Sequence, residues 1–135
     1  MNEREAMDNP LLRRTKQYAL RIIKLVDSLP NTTVCRTIGG QLVDAGTSVG
    51  ANYRAACRPK SQADFIAKLG IVEEETDESL FWMELLIESG IVKAELLADL
   101  MQEGDEILAM IVSAIRTTKA KQQAAKSDNK RPTQS

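Results

Sequence analysis

The strongest constraint on this chain is a repeated spacing. Apolar residues recur at intervals of three and four along four long stretches, each bounded by a proline, a glycine or a capping residue. That spacing lays one stripe of side chains along an α-helix, and such stripes are buried by packing helix against helix. The first stretch opens at Asn9 and Pro10, an N-cap followed by proline at the first helical position, and stops before Pro30. Its seam is Leu12, Thr15, Ala19, Ile22, Val26 and Leu29, and Arg13, Arg14, Gln17, Arg21 and Lys24 lie opposite. The second runs from Thr32 or Thr33 to Cys57, ahead of Pro59, with Cys35, Ile38, Leu42, Ala45, Val49, Asn52 and Ala56 in its seam. The third spans Gln62 to Ser89, opened by a capping box of Ser61 and Asp64 and closed by Gly90. Its seam is Phe65, Leu69, Val72, Thr76, Ser79, Met83 and Leu86. The fourth runs from Val92 or Lys93 to Thr118 through Leu97, Leu100, Gly104, Ile107, Ile111 and Ala114, with Gly104 marking a kink.

Two helices carry a second stripe. On the second helix it is built of mostly small residues, Gly39, Val43, Gly46, Gly50 and Cys57, at a cost in helix propensity of roughly 1 kcal/mol per glycine relative to alanine. Either another backbone packs very close there, or the helix is less regular than drawn. On the third helix, Ile71, Glu75, Glu78, Trp82 and Leu85 form a stripe distinct from the seam, while Glu73, Asp77, Glu84 and Glu88 form the solvated face. Two apolar stripes require two partners: a neighbouring helix and another subunit, or two helices of one bundle.

A chain of 135 residues, 43% of them hydrophobic, suffices for one domain with a continuous core. Aromatic residues make up only 4%, which suits interlocking helices better than sheets, so the class is all-α, with four long helices. The expected organisation is a flexible N-terminus over 1–9, the bundle over 10–120 and a basic flexible tail over 121–135, disordered or a frayed helical extension. No apolar run approaches the ~20 residues that cross a bilayer, and no signal-peptide core interrupts the charged beginning, so the expected location is the cytoplasm. Cys35 and Cys57 fall about six turns apart on one helix, beyond disulfide reach, and read as reduced thiols.

The chain contains no histidine, which removes the commonest general base and the commonest metal ligand. It reads as a non-enzyme with no cofactor and no metal. The acidic run Glu73, Glu74, Glu75, Asp77 and Glu78 lacks the Glu-x-x-His motifs of a di-iron bundle and reads as a solvated face. Glu75 and Glu78 interrupt an apolar stripe, so each needs a cation, for which Arg54 or Arg58 is the expected partner, inside or between subunits. Asn52 reads as a buried residue that fixes register or oligomer state, and Trp82 as a packing or interface residue.

The net charge of −1 conceals a strong segregation: a basic block from Leu11 to Lys60, an acidic one from Ser61 to Glu106 and a basic end. The basic face of the first helix, joined by Arg36, Arg54 and Arg58, points outward to a partner class. Arg13, Arg14, Arg21, Lys24, Arg36, Arg54 and Arg58 are therefore the expected contacts to nucleic-acid phosphates. The competing expectation is that the acidic third helix, of the same or a neighbouring subunit, consumes these cations.

The stretch from Gln41 to Leu86 resembles the four-helix-bundle family first noticed as open reading frames in intervening sequences of bacterial 23S ribosomal RNA genes. The carriers are Gln41, Leu42, Ser48, Ala51, Asn52, Tyr53, Ser61, Asp64, Phe65, Lys68, Leu69, Glu74, Glu78, Trp82 and Leu85, and the likeness covers about residues 11–120. Family members usually carry a glutamate after the asparagine, whereas Arg54 here is followed by Ala55 and Ala56, so no role of that carboxylate carries over. The resemblance implies an up-and-down bundle assembled as a ring-like homopentamer, for which Ile71, Glu75, Glu78, Trp82 and Leu85 offer the interface. It also implies kinship with the accessory protein of bacterial diversity-generating retroelements, a basic pentamer that binds nucleic acid and a reverse transcriptase. Two function classes follow: an accessory protein whose ring binds RNA or DNA, and a protein-interaction scaffold that touches no nucleic acid.

Overall fold

In the computed structural model, which describes residues 9–129, four helices follow one another: α1 (Pro10–Asp27), α2 (Thr33–Ala56), α3 (Gln62–Glu88) and α4 (Ala94–Asn129). Residues 1–8 of the expected flexible N-terminus, and Lys130 and Arg131 of the basic tail, lie outside the described residues. Each helix packs along the next, and α1 meets α4 to complete the circuit, the up-and-down arrangement that short connections impose.

The helix ends follow local chemistry. The Thr32 side chain accepts from the Cys35 amide at 3.1 Å, and Ser61 Oγ accepts from the Asp64 amide at 3.0 Å. Asp64 reaches back to accept from the Lys60 amide at 3.0 Å and also accepts from Lys68 Nζ at 2.7 Å, which holds its carboxyl below the usual range. Gly90, at φ 79°, ends α3 in the left-handed conformation that favours glycine. Asn9 precedes α1 as expected but makes no side-chain cap. Its amide instead accepts from Tyr53 Oη at 3.0 Å and donates to Cys57 Sγ at 3.4 Å, fastening the start of α1 to the end of α2.

The glycine stripe of α2 is resolved in favour of close packing. A Cβ on Gly46 would lie 2.5 Å from Ile22 Cδ1, and one on Gly39 would lie 2.9 Å from Val26 Cγ1. At Gly50 the neighbour is backbone, with the Thr15 carbonyl oxygen 3.3 Å from the Cβ position. The helices thus nest where side chains are missing. Gly104 serves the same end on α4: its Cβ position is 2.8 Å from both Tyr18 Oη and Leu80 Cδ2, and the helix continues through the expected kink site.

The seams hold with local shifts. Leu69, Val72, Thr76, Ser79, Met83 and Leu86 of α3 are buried, joined by Leu80. On α1 the deepest positions are Thr15, Tyr18 and Ile22, while Leu12, Ala19 and Val26, and Leu29 just past the helix end, are only half-buried. Tyr18 enters the core because its hydroxyl finds Ser79 Oγ at 2.7 Å, and Ser79 in turn donates to the Thr76 carbonyl at 2.7 Å. Asn52 does not occupy the core as expected. It is half-buried and donates to the Ser48 carbonyl at 2.9 Å, while the larger ring of Tyr53 takes the inward place. On α4, Ile115 rather than Ala114 completes the buried row. The thiols of Cys35 and Cys57 are free.

The fourth helix outruns its expected end at Thr118 and reaches Asn129, taking in residues 121–129 of the expected tail. Alanine, lysine and glutamine dominate that segment, and no proline intervenes before Pro132, so intrinsic propensity carries the helix on.

Two predictions follow from this packing. Gly40 faces open space, so Gly40→Ala should raise stability by about 0.5–1 kcal/mol, whereas Gly46→Ala should lose about 1–3 kcal/mol by overpacking Ile22. Urea unfolding of both variants measures this, and equal effects would mean looser nesting than described. Burial pushes Tyr18 and Tyr53 up to about 12, above the value of about 10 for free phenols. Because the folded values are raised, their contribution to stability is full below pH about 10 and is lost as pH climbs towards about 12. Phenolate absorbance should therefore lag behind that of free tyrosine; ionisation near pH about 10 with intact helical dichroism would contradict the burial of both rings.

Candidate nucleic-acid interface

The cations of α1 fall into two groups by helical position. Arg13, Arg21 and Lys24 are exposed on its solvent side, away from the buried row of Thr15, Tyr18 and Ile22. Arg14 turns towards α4, where its Nε donates to Glu103 Oε2 at 3.0 Å and its Nη2 reaches Glu103 Oε1 and Glu106 Oε1. The hydrogen bond from Arg14 is the main cause that holds the Glu103 carboxyl below its usual range, against the opposing effect of burial. Arg14 is thus neutralised within the subunit.

The acidic third helix does not consume the other cations of the same subunit. Among the described residues, the only further salt bridge joins Lys68 to Asp64 on α3 itself. Arg13, Arg21, Lys24, Arg36, Arg54 and Arg58 form none with the described residues. Arg36 is held at the start of α2 by donating to Asn31 Oδ1 at 2.7 Å and Thr33 Oγ1 at 3.3 Å, and it remains exposed. At the far end of α4, Arg116, Lys119, Lys121 and Lys126 are exposed as well.

Arg54 and Arg58 take a different place from the α1 solvent face. With Lys16 they border a groove of about 470 Å³ between α1 and α2, whose walls include Leu12, Ala19, Ala51 and Cys57. The groove exists because the two backbones meet at Gly50, so nothing larger than glycine fills its floor. The hydroxyl of Thr47, on its wall, is occupied by donating to the Val43 carbonyl at 2.7 Å. Burial raises the Cys57 thiol above its ordinary value. The groove therefore combines apolar walls with three cations and holds no activated nucleophile.

The second stripe of α3 is only partly covered by its own bundle, Trp82 packing against the edge of the core. Ile71 is 41% exposed and Phe81 46%, while Trp82 and Leu85 are half-buried. Phe81 was not part of the stripe read from the spacing; its ring lies 5.1 Å from that of Trp82 and extends the aromatic patch. Neither Glu75 nor Glu78 meets Arg54 or Arg58 within the subunit, contrary to one form of the expectation. The two arginines lie at the α1–α2 groove, whose lining includes no residue of α3. Glu78 accepts from Trp82 Nε1 at 3.3 Å. The Glu75 carboxyl is raised above its usual value, first by burial and then by the charges of Glu78, Glu74 and Asp44.

Comparison with known proteins relates the chain to a family. The profile described as 23S rRNA-intervening sequence protein matches residues 7–113. A crystal structure of a protein with unknown function from the S23 ribosomal protein family, from Bacteroides thetaiotaomicron, is 33% identical, with a TM-score of 0.74. The likeness covers 78% of this chain and 97% of that one. No curated protein matches the chain.

The Arg14 contacts make a direct prediction. A double-mutant cycle of Arg14→Ala and Glu103→Ala, read by thermal or urea unfolding, should show a coupling of about 0.5–1 kcal/mol, since the pair is only partly buried. Strict additivity would mean that Arg14 is free in solution and belongs with the open cations.

Proposed function

The chain belongs to the 23S rRNA-intervening sequence protein family, and from that membership we propose a non-enzymatic, homo-oligomeric accessory protein that binds nucleic-acid phosphates through the solvent face of α1. The observation that carries this reading is the set of exposed cations, Arg13, Arg21 and Lys24, with Arg36 beyond the turn, that no carboxylate among the described residues neutralises. A phosphate backbone is recognised by just such an array, because each contact releases a condensed counterion and little geometry is demanded. Repetition of the face around a homopentamer, through the stripe of Ile71, Glu75, Glu78, Trp82 and Leu85, multiplies weak contacts into useful avidity.

The non-enzymatic part of the reading rests on the groove. Its thiol is raised rather than activated, its threonine hydroxyl is occupied, and no carboxylate among the described residues lines it. A second reading, a scaffold that binds a protein such as a reverse transcriptase and no nucleic acid, draws on the aromatic patch of exposed Phe81 and half-buried Trp82.

Anisotropy titrations with labelled single-stranded and duplex RNA and DNA test the first reading. Binding should weaken steeply with salt, and the combined Arg13→Ala, Arg21→Ala and Lys24→Ala variant should lower the magnitude of the salt slope by roughly one per cation engaged. Unchanged affinity and slope in that variant would remove α1 from the interface. No binding of any of the four probes at low salt would favour the scaffold.

A further inference from the structure

Two surfaces of this chain are left incomplete in complementary ways. The α1–α2 groove has apolar walls and three cations, Lys16, Arg54 and Arg58, without a carboxylate partner among the described residues. The outward face of α3 is a ridge of apolar side chains, with Ile71 and Phe81 exposed and Trp82 and Leu85 beside them. Running along that ridge are Glu74, Glu75 and Glu78, and none of them forms a salt bridge among the described residues. A concave, positive, apolar surface and a convex, negative, apolar one thus occur on the same molecule. The groove lining includes no residue of α3, and no salt bridge joins the two sets within the subunit, so the chain does not satisfy one with the other by itself.

We infer that the α1–α2 groove is the receptor for the α3 ridge of a second copy, with Phe81 and Trp82 against its apolar walls and Lys16, Arg54 and Arg58 facing Glu74, Glu75 and Glu78. This rests on the homo-oligomeric reading above and specifies which two surfaces meet. Because the surfaces differ, the contact is head-to-tail: each subunit gives its ridge to one neighbour and its groove to the other. Such a contact closes into a ring when the rotation between neighbours divides a full turn. The charge arrangement also sets register and rejects the wrong orientation, since ridge on ridge would oppose carboxylates and groove on groove would oppose cations. One consequence is a division of labour among the cations. Arg54 and Arg58 are spent on the neighbour, and the α1 solvent face is left for phosphates.

Charge reversal on each surface tests the pairing, with mass read by light scattering and folding by helical dichroism. Arg54→Glu with Arg58→Glu should reduce the wild-type assembly to single subunits, and Glu75→Arg with Glu78→Arg should do the same. The variant carrying all four substitutions should regain the wild-type mass, because an acidic groove then meets a basic ridge; that recovery also excludes misfolding as the cause of the losses. Should the groove variant keep the wild-type mass, or the fourfold variant stay folded and dissociated, the pairing is overturned while the oligomer itself stands. A wild-type protein that is a single subunit overturns the homo-oligomeric reading and this pairing together.

Discussion

The nesting of α1 into the glycine stripe of α2 is the contact on which the rest of the bundle depends. With no Cβ at Gly46, the branched side chain of Ile22 occupies the space against the α2 backbone, and at Gly50 the two main chains themselves come together. This depth sets the rotation of α1, and the rotation puts Tyr18 at the centre of the molecule, where its hydroxyl reaches Ser79 across the core. Gly104 then admits α4 against the same tyrosine. Three helices are thereby keyed to one side chain, and the propensity lost at the glycines is offset by dispersion contacts that wider spacing would forfeit.

The same nesting decides the electrostatics. A deeply seated α1 keeps Arg13, Arg21 and Lys24 on open surface and delivers Arg14 to Glu103. It also leaves a shallow outer trough where the helices diverge from their contact, and Lys16, Arg54 and Arg58 collect at its border. A near-neutral chain therefore carries strongly signed surfaces, which pairwise charge counting averages away.

Much of this was legible in the sequence, because helix boundaries and seams depend on local rules. Proline at position 10, Thr32, Ser61 with Asp64, and Gly90 mark ends that capping chemistry alone dictates, and the third seam was read almost residue for residue. The close approach at the glycines was one of two alternatives that spacing left open. Tyr18 escaped because a hydroxyl-bearing ring enters a core only when a partner such as Ser79 is waiting, and that partner lies on another helix. Asn52 and Tyr53 exchanged roles because a step of three or of four from Val49 is equally helical, and burial of the larger ring decides between them. The ion pairs were the least legible: whether Arg14 meets α4 depends on a rotation fixed by packing. The surface residues expected to touch phosphates or a neighbouring subunit are arranged by that same packing, which lodges Arg54 and Arg58 in a groove apart from the α1 face.

The length of α4 divides the molecule thermodynamically. Its 36 residues extend about 54 Å, whereas the 18 residues of α1 extend about 27 Å, so the two cannot accompany each other throughout. Beyond Ala120 the side chains through Asp128 are exposed apart from Gln122, and no seam holds them to the bundle. Hydrogen bonds there protect their amides only as long as the helix resists fraying, since each turn is held by its predecessor rather than by a core. The chain is thus a cooperative block continued by a one-dimensional helix. Heat, denaturant and proteases meet two folding units of unequal strength within a single unbroken element.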